Sequence, residues 1–125
     1  MQIIIMETKF KFNSQVCTSR SQSEKLLALG LKKETADIRG VEGIEHTPTF
    51  AWSLGRLIKD LMPQSIGHLE LAVGSDYAGY YEDRCESESG MWWEYSSETS
   101  DMFDNIISTI EWLIKKGYFN KEYLV

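Results

Sequence analysis

The sequence predicts an α+β fold in a single domain: an antiparallel β-meander of three or more strands, two main helices packed on one face, and a short N-terminal helix. Three observations carry that expectation. An apolar stripe at helical spacing closes the chain, apolar residues alternate with polar ones before it, and helices and strands fall in separate runs.

The closing stripe is Phe103, Ile106, Ile107, Ile110, Leu113 and Ile114. Asp101 and Asp104 suit the positive end of a helix dipole, Lys115 and Lys116 suit its negative end, and Gly117 supplies a stop. The spacing therefore predicts a helix over Asp101–Lys116. Upstream, Leu69, Leu71 and Val73 alternate with Glu70 and Ala72, and Gly74-Ser75-Asp76 breaks the run before Tyr77 to Glu82 resumes it. A polar stretch from Asp83 to Gly90 then leads to Met91–Ser96, which reads as the third strand of the meander.

The other main helix is expected over Thr49–Met62. Leu54, Leu57, Ile58 and Leu61 give it an apolar face, Thr49 or Ser53 caps its start, and Pro63 forbids its continuation. Gly55 inside it, at a cost of about 1 kcal/mol relative to alanine, suggests close packing. Ser21-x-x-Glu24 reads as a capping box that opens the short helix, with Leu26, Leu27 and Leu29 on its apolar side and Gly30 at its end. Lys33 to Asp37 can add a turn, and Ile38 to Ile44 is an extended piece able to pair with a sheet. At the N-terminus, Ile3-Ile4-Ile5 with Phe10 and Phe12 has strand character, so residues 1–19 read as a strand or an extension. The expected core gathers Trp52, Leu54, Leu57, Ile58, Leu61, Ile106, Ile107, Ile110, Leu113 and Ile114.

A chain of 125 residues buries roughly two thirds of its unfolded surface, enough for a core without staples. A net charge of −6 repels phosphates and argues against nucleic-acid binding. Cys17 and Cys85 form neither a Cys-x-x-Cys pair nor a disulfide framework, which points to reduced thiols in a cytoplasm. The run Ile3 to Met6 is too short for a signal h-region, and no stretch approaches a membrane span.

The acidity is local. Residues 67–104 hold ten carboxylates against one cation, Arg84, interleaved with Tyr77, Tyr80, Tyr81, Trp92, Trp93 and Tyr95. The carboxylates lack the order of a calcium loop, so a solvated loop explains them better than a metal site. His46 and His68 have no ligand partner at a recognised spacing, and Ser53 sits in no nucleophile elbow. Gly40-Val41-Glu42-Gly43 lacks the end of a phosphate loop, while Lys115 to Lys121, with Tyr118 and Phe119, is explained by lysines at a helix C-terminus. No catalytic, cofactor-binding or metal residue is assigned.

The six aromatics are a different matter, because adjacent strand residues point to opposite faces and Trp92 and Trp93 cannot both enter one core. With too few helices to cover both faces, Tyr77, Tyr80, Tyr81, Trp92, Trp93 and Tyr95 become the candidate interaction surface.

Further context comes from Glu24 to Leu31, Thr35-Ala36-Asp37, Ala51-Trp52-Ser53-Leu54-Gly55-Arg56-Leu57, Met62-Pro63 and Trp112-Leu113-Ile114-Lys115-Lys116-Gly117-Tyr118. In these motifs the chain resembles small uncharacterised proteins encoded on phages and integrative elements of Bacteroides-type gut bacteria. The resemblance spans about residues 21–120, with Met1–Ser19 preceding it, and implies a mobile-element setting without an activity or catalytic residues. The functional expectation is a non-enzymatic protein-interaction module with an unidentified protein partner or a second copy of itself. Two further classes stand beside it: an acidic nucleic-acid mimic that inhibits a host DNA-binding enzyme, and a small hydrolase or metal-dependent enzyme.

Overall fold

A computed structural model of the protein describes residues 14–42, 47–84 and 90–125. The elements are α1 (Arg20–Ala28), β1 (Ile38–Glu42), β2 (Thr47–Ala51), a π-helical turn (Arg56–Leu61), β3 (Ser65–Ile66), β4 (Leu69–Val73), β5 (Ala78–Arg84), β6 (Gly90–Ser97) and α2 (Met102–Lys116). Strands β3 to β6 form an antiparallel meander in that order, and β1 and β2 form a separate hairpin. The fold is α+β, as the sequence predicts, with α2 packed on β5 and β6, and with α1 against α2 and β2.

Helix α2 follows its sequence signals closely. The Asp101 carboxylate accepts from the Asp104 N–H at 3.1 Å, and Gly117 closes the helix at φ 77°, where a side chain would be strained. Phe103, Ile106, Ile107, Ile110 and Leu113 are buried, and they meet Leu69, Ala78 and Tyr80 from the sheet. Asn105 is wholly buried on the same helix. Its Oδ1 accepts from Thr99 N–H (2.9 Å), Thr99 Oγ1 (2.8 Å) and Ser97 Oγ (3.0 Å), and its Nδ2 donates to the Thr99 carbonyl (2.9 Å). One amide thus ties the end of β6 to α2.

Helix α1 begins earlier than Ser21-x-x-Glu24 suggests. Ser19 is the cap: its hydroxyl accepts from Gln22 N–H at 3.2 Å, and Gln22 Oε1 accepts from Ser19 N–H at 2.9 Å. Ser19-x-x-Gln22 has the same reciprocal chemistry two residues upstream. The buried Gln22 also donates to Asp101 and Asp104 at 3.2 and 2.8 Å, which joins the starts of the two helices.

The helix expected over Thr49–Met62 is the main correction. Thr47–Ala51 pairs instead with Ile38–Glu42, from Ile38 opposite Ala51 to Glu42 opposite Thr47. Proline is tolerated there because a two-stranded ribbon consists of edges alone. Helical backbone starts only at Leu54, capped by the Ser53 hydroxyl, which accepts from Arg56 N–H at 3.2 Å. It widens to π geometry, with Met62 N–H donating to the Leu57 carbonyl at 3.0 Å. Gly55 has open space where a Cβ would stand, so close packing does not account for it. Trp52 is fully buried, its indole N–H donating to Thr35 Oγ1 at 3.0 Å.

Of the expected core, Trp52, Leu57, Leu61, Ile106, Ile107, Ile110 and Leu113 are buried, while Leu54, Ile58 and Ile114 pack partly buried around them. The N-terminal strand expected within residues 1–19 falls mostly outside the described residues. No helix among the described residues is long and apolar enough to cross a membrane.

Candidate aromatic interaction face

The geometry of this face is set by one irregularity between β5 and β6. Pairing runs Ala78 to Ser97, Gly79 to Ser96 and Tyr80 to Tyr95, then shifts, so that Tyr81 stands opposite Trp93 and Glu82 opposite Trp92. Glu94 is the extra residue of a β-bulge. In a regular strand Trp93 and Tyr95, two apart, would share a face. The bulge instead sends Tyr95 to the helix side with Tyr80 and leaves Trp93 on the outer side with Tyr81.

The six candidate aromatics therefore separate. Tyr80 is fully buried, its hydroxyl donating to the Pro63 carbonyl at 2.6 Å and its ring centroid 5.7 Å from that of Trp112. Burial holds its hydroxyl pKa well above the ordinary 10. Tyr95 stacks on Trp112 at 5.1 Å with an interplanar angle of 11°. Both belong to the packing beneath α2. On the outer side, Trp93 stands between Tyr77 and Tyr81, with edge-to-face contacts of 5.9 Å to each. Trp92 lies on the helix side but beyond the helix, 48% exposed, with the Arg84 guanidinium 4.4 Å from its ring.

Two glycines make the outer arrangement possible. A Cβ on Gly79 would lie 2.0 Å from the Tyr95 carbonyl oxygen, so only glycine lets β6 approach this closely. A Cβ on Gly74 would lie 2.2 Å from the Tyr77 ring, which crosses the β4–β5 turn to reach Trp93. Neither helix packs on this side, and Trp93 keeps 37% of its surface exposed.

Carboxylates surround the aromatics. Glu70 pairs across the strands with Tyr81 and accepts from its hydroxyl at 3.1 Å, and Asp83 follows Tyr81 on the same side. That hydrogen bond, with some desolvation and the charges of Glu70 and Asp83, raises the Tyr81 pKa. At the other end an open cleft of about 520 Å³ is lined by Asp76, Tyr77, Trp93, Glu98, Thr99 and Ser100. Among the described residues, no lysine or arginine lines it.

A second concavity of about 420 Å³ lies between α1 and the hairpin, with Cys17, Leu27, Ile38, Phe50 and Ala51 in its wall. Four of its polar side chains are engaged in pairs: Thr18 with Ser23 at 2.8 Å, and Arg20 with Glu24 at 3.4 Å.

Among the described residues, the candidates for chemistry do not assemble. The Ser53 hydroxyl donates to Asp37 in a short hydrogen bond, and Ser53 N–H donates to the same carboxylate at 2.8 Å. Desolvation opposes ionisation of Asp37, but the Ser53 hydrogen bonds and the Arg56 charge outweigh it and hold the pKa below 3.8. Such a carboxylate is a poor base for a hydroxyl. His68 is exposed beside Glu82 at 3.7 Å, and His46 and Cys85 lie outside the described residues. Among the described residues, no three His, Cys, Asp or Glu side chains are placed to hold a metal ion.

Toward the C-terminus, Lys115 pairs with Glu111 at 3.0 Å, Tyr118 meets Trp112 edge-on at 5.7 Å, and Phe119 is buried. Phe119 serves the core, whereas Tyr118 stays exposed at the rim of Trp112. The bulge is the feature that sequence reasoning missed, because it depends on which residues pair across strands. Compared with protein-family models, curated proteins and solved structures, the chain matches none of them.

Proposed function

We propose that the protein is a non-enzymatic interaction module of the cytoplasm that binds another protein through the outer face of β5 and β6. The observation that carries this reading is Trp93, held between Tyr77 and Tyr81 on a side of the sheet that neither helix covers. Rigid tryptophan and tyrosine side chains are the residue types on which binding energy concentrates. Their orientation is fixed by a bulge and two close-approach glycines, so little side-chain freedom remains to be lost on binding.

The test compares proteins retained from an extract of the native host by wild type, by Trp93→Ala and by Val16→Ser, a change at an exposed apolar residue outside the candidate face. A polypeptide held by wild type and Val16→Ser but lost with Trp93→Ala supports the reading. Equal retention by all three contradicts it.

A further inference from the structure

We infer that the occupant of the outer face is a lysine- or arginine-rich segment of a partner protein, with one cationic side chain seated in the open cleft that Tyr77 and Trp93 line together with Asp76 and Glu98. This rests on the interaction reading above and adds the chemistry of the partner. The argument is charge complementarity. Residues 67–104 carry ten carboxylates against the single Arg84, and that arginine lies on the opposite side of the sheet, against Glu82 and Trp92. The outer face therefore presents Glu70 and Asp83 at one end and Asp76 and Glu98 at the other, with aromatic rings between them.

The cleft suits a cation in particular. An ammonium or guanidinium group is attracted to the face of a tryptophan or tyrosine ring within about 6 Å, and more strongly where it is partly desolvated. Here Tyr77 and Trp93 supply rings at an interplanar angle of 70°, while Asp76 and Glu98 supply the counter-charge. The aliphatic stem of lysine or arginine can lie along the rings while its head meets the carboxylates. A second copy of this chain fits less well, because two-fold pairing of the face would set these carboxylates against their own copies.

The experiment is an NMR titration of the full chain with a lysine octapeptide, following the indole N–H resonances and the backbone amides. The expected result is saturable shifts centred on Trp93, Tyr77 and Ser100. Affinity should fall roughly three- to tenfold in Asp76→Asn/Glu98→Gln. It should change less than about twofold in Glu34→Gln/Glu122→Gln, which removes the same charge elsewhere. Shifts spread evenly over the acidic surface, equal weakening in both double variants, or no binding at all would overturn the inference. If the octapeptide fails while Trp93→Ala still loses a host polypeptide, the interaction reading stands and only the cationic partner falls.

Discussion

Trp93 stands opposite Tyr81 because Glu94 occupies a bulge, and that single extra residue decides which aromatic rings the sheet hides and which it shows. Tyr95, two positions on, stacks on Trp112 under α2. The exposed rings follow from backbone register, and the consequences can be measured one residue at a time.

The close approach of β6 to Gly79 makes that position intolerant of any side chain. Gly79→Ala drives a methyl group into the Tyr95 carbonyl, and a loss of at least about 2 kcal/mol is expected, within the range of overpacking penalties. Gly55 is the contrasting case, with helical backbone and open space around it. Gly55→Ala should stabilise by about 0.5–1 kcal/mol. Urea denaturation of both variants checks the pair.

Removing the buried Asn105 amide takes the acceptor from Ser97 Oγ and Thr99 N–H, while the Thr99 hydroxyl keeps the Asp101 carbonyl at 3.2 Å. Asn105→Ala should cost about 1–3 kcal/mol, from the lost hydrogen bonds and packing of a wholly buried side chain. Chemical denaturation measures the loss, and amide exchange at Thr99 should rise with it.

Two groups set opposite pH limits. Asp37 has a lowered folded pKa, so its contribution is present above 3.8 and is lost as pH falls through the folded value. Asp37→Asn should flatten the acid limb of the melting curve below about pH 4. Tyr80 has a raised folded pKa, so its contribution is present below the unfolded value of about 10 and is lost as pH rises beyond it. Tyr80→Phe, despite losing the bond to Pro63, should weaken the stability loss between pH 10 and 11. Thermal melts across both ranges test the signs.

Binding and stability should separate at Trp93. Its two edge-to-face contacts are partly exposed, so Trp93→Ala should cost about 1–3 kcal/mol and leave the domain folded. Ile110→Asp, at a fully buried position, should unfold the domain. Circular dichroism melts distinguish the two outcomes.

Much of the fold was legible where local signals and packing agree. Asp101, the apolar stripe and Gly117 all specify the same helix, and the alternation from Leu69 to Val73 specifies a strand with one buried side. The signals failed where several sequence positions offer the same local chemistry. Ser19 and Gln22 cap α1 as well as Ser21 and Glu24 would, and only Ser19–Gln22 lets Gln22 reach Asp101 and Asp104. Thr47 to Ala51 precedes a helical stripe, yet cross-strand pairing with Ile38 to Glu42 prevails over local helix signals. For the candidate face, the sequence shows that Trp92 and Trp93 must diverge. It does not show that Tyr95 leaves Trp93 for the core, since the bulge at Glu94 depends on register with Tyr80 and Tyr81.

The sorting of the tryptophans by burial is the central claim, and paramagnetic relaxation of the indole N–H resonances by a soluble gadolinium chelate tests it most directly. Trp92 and Trp93 should broaden strongly, Trp112 less, and Trp52 hardly at all. A Trp93 resonance as protected as that of Trp52 would contradict the account.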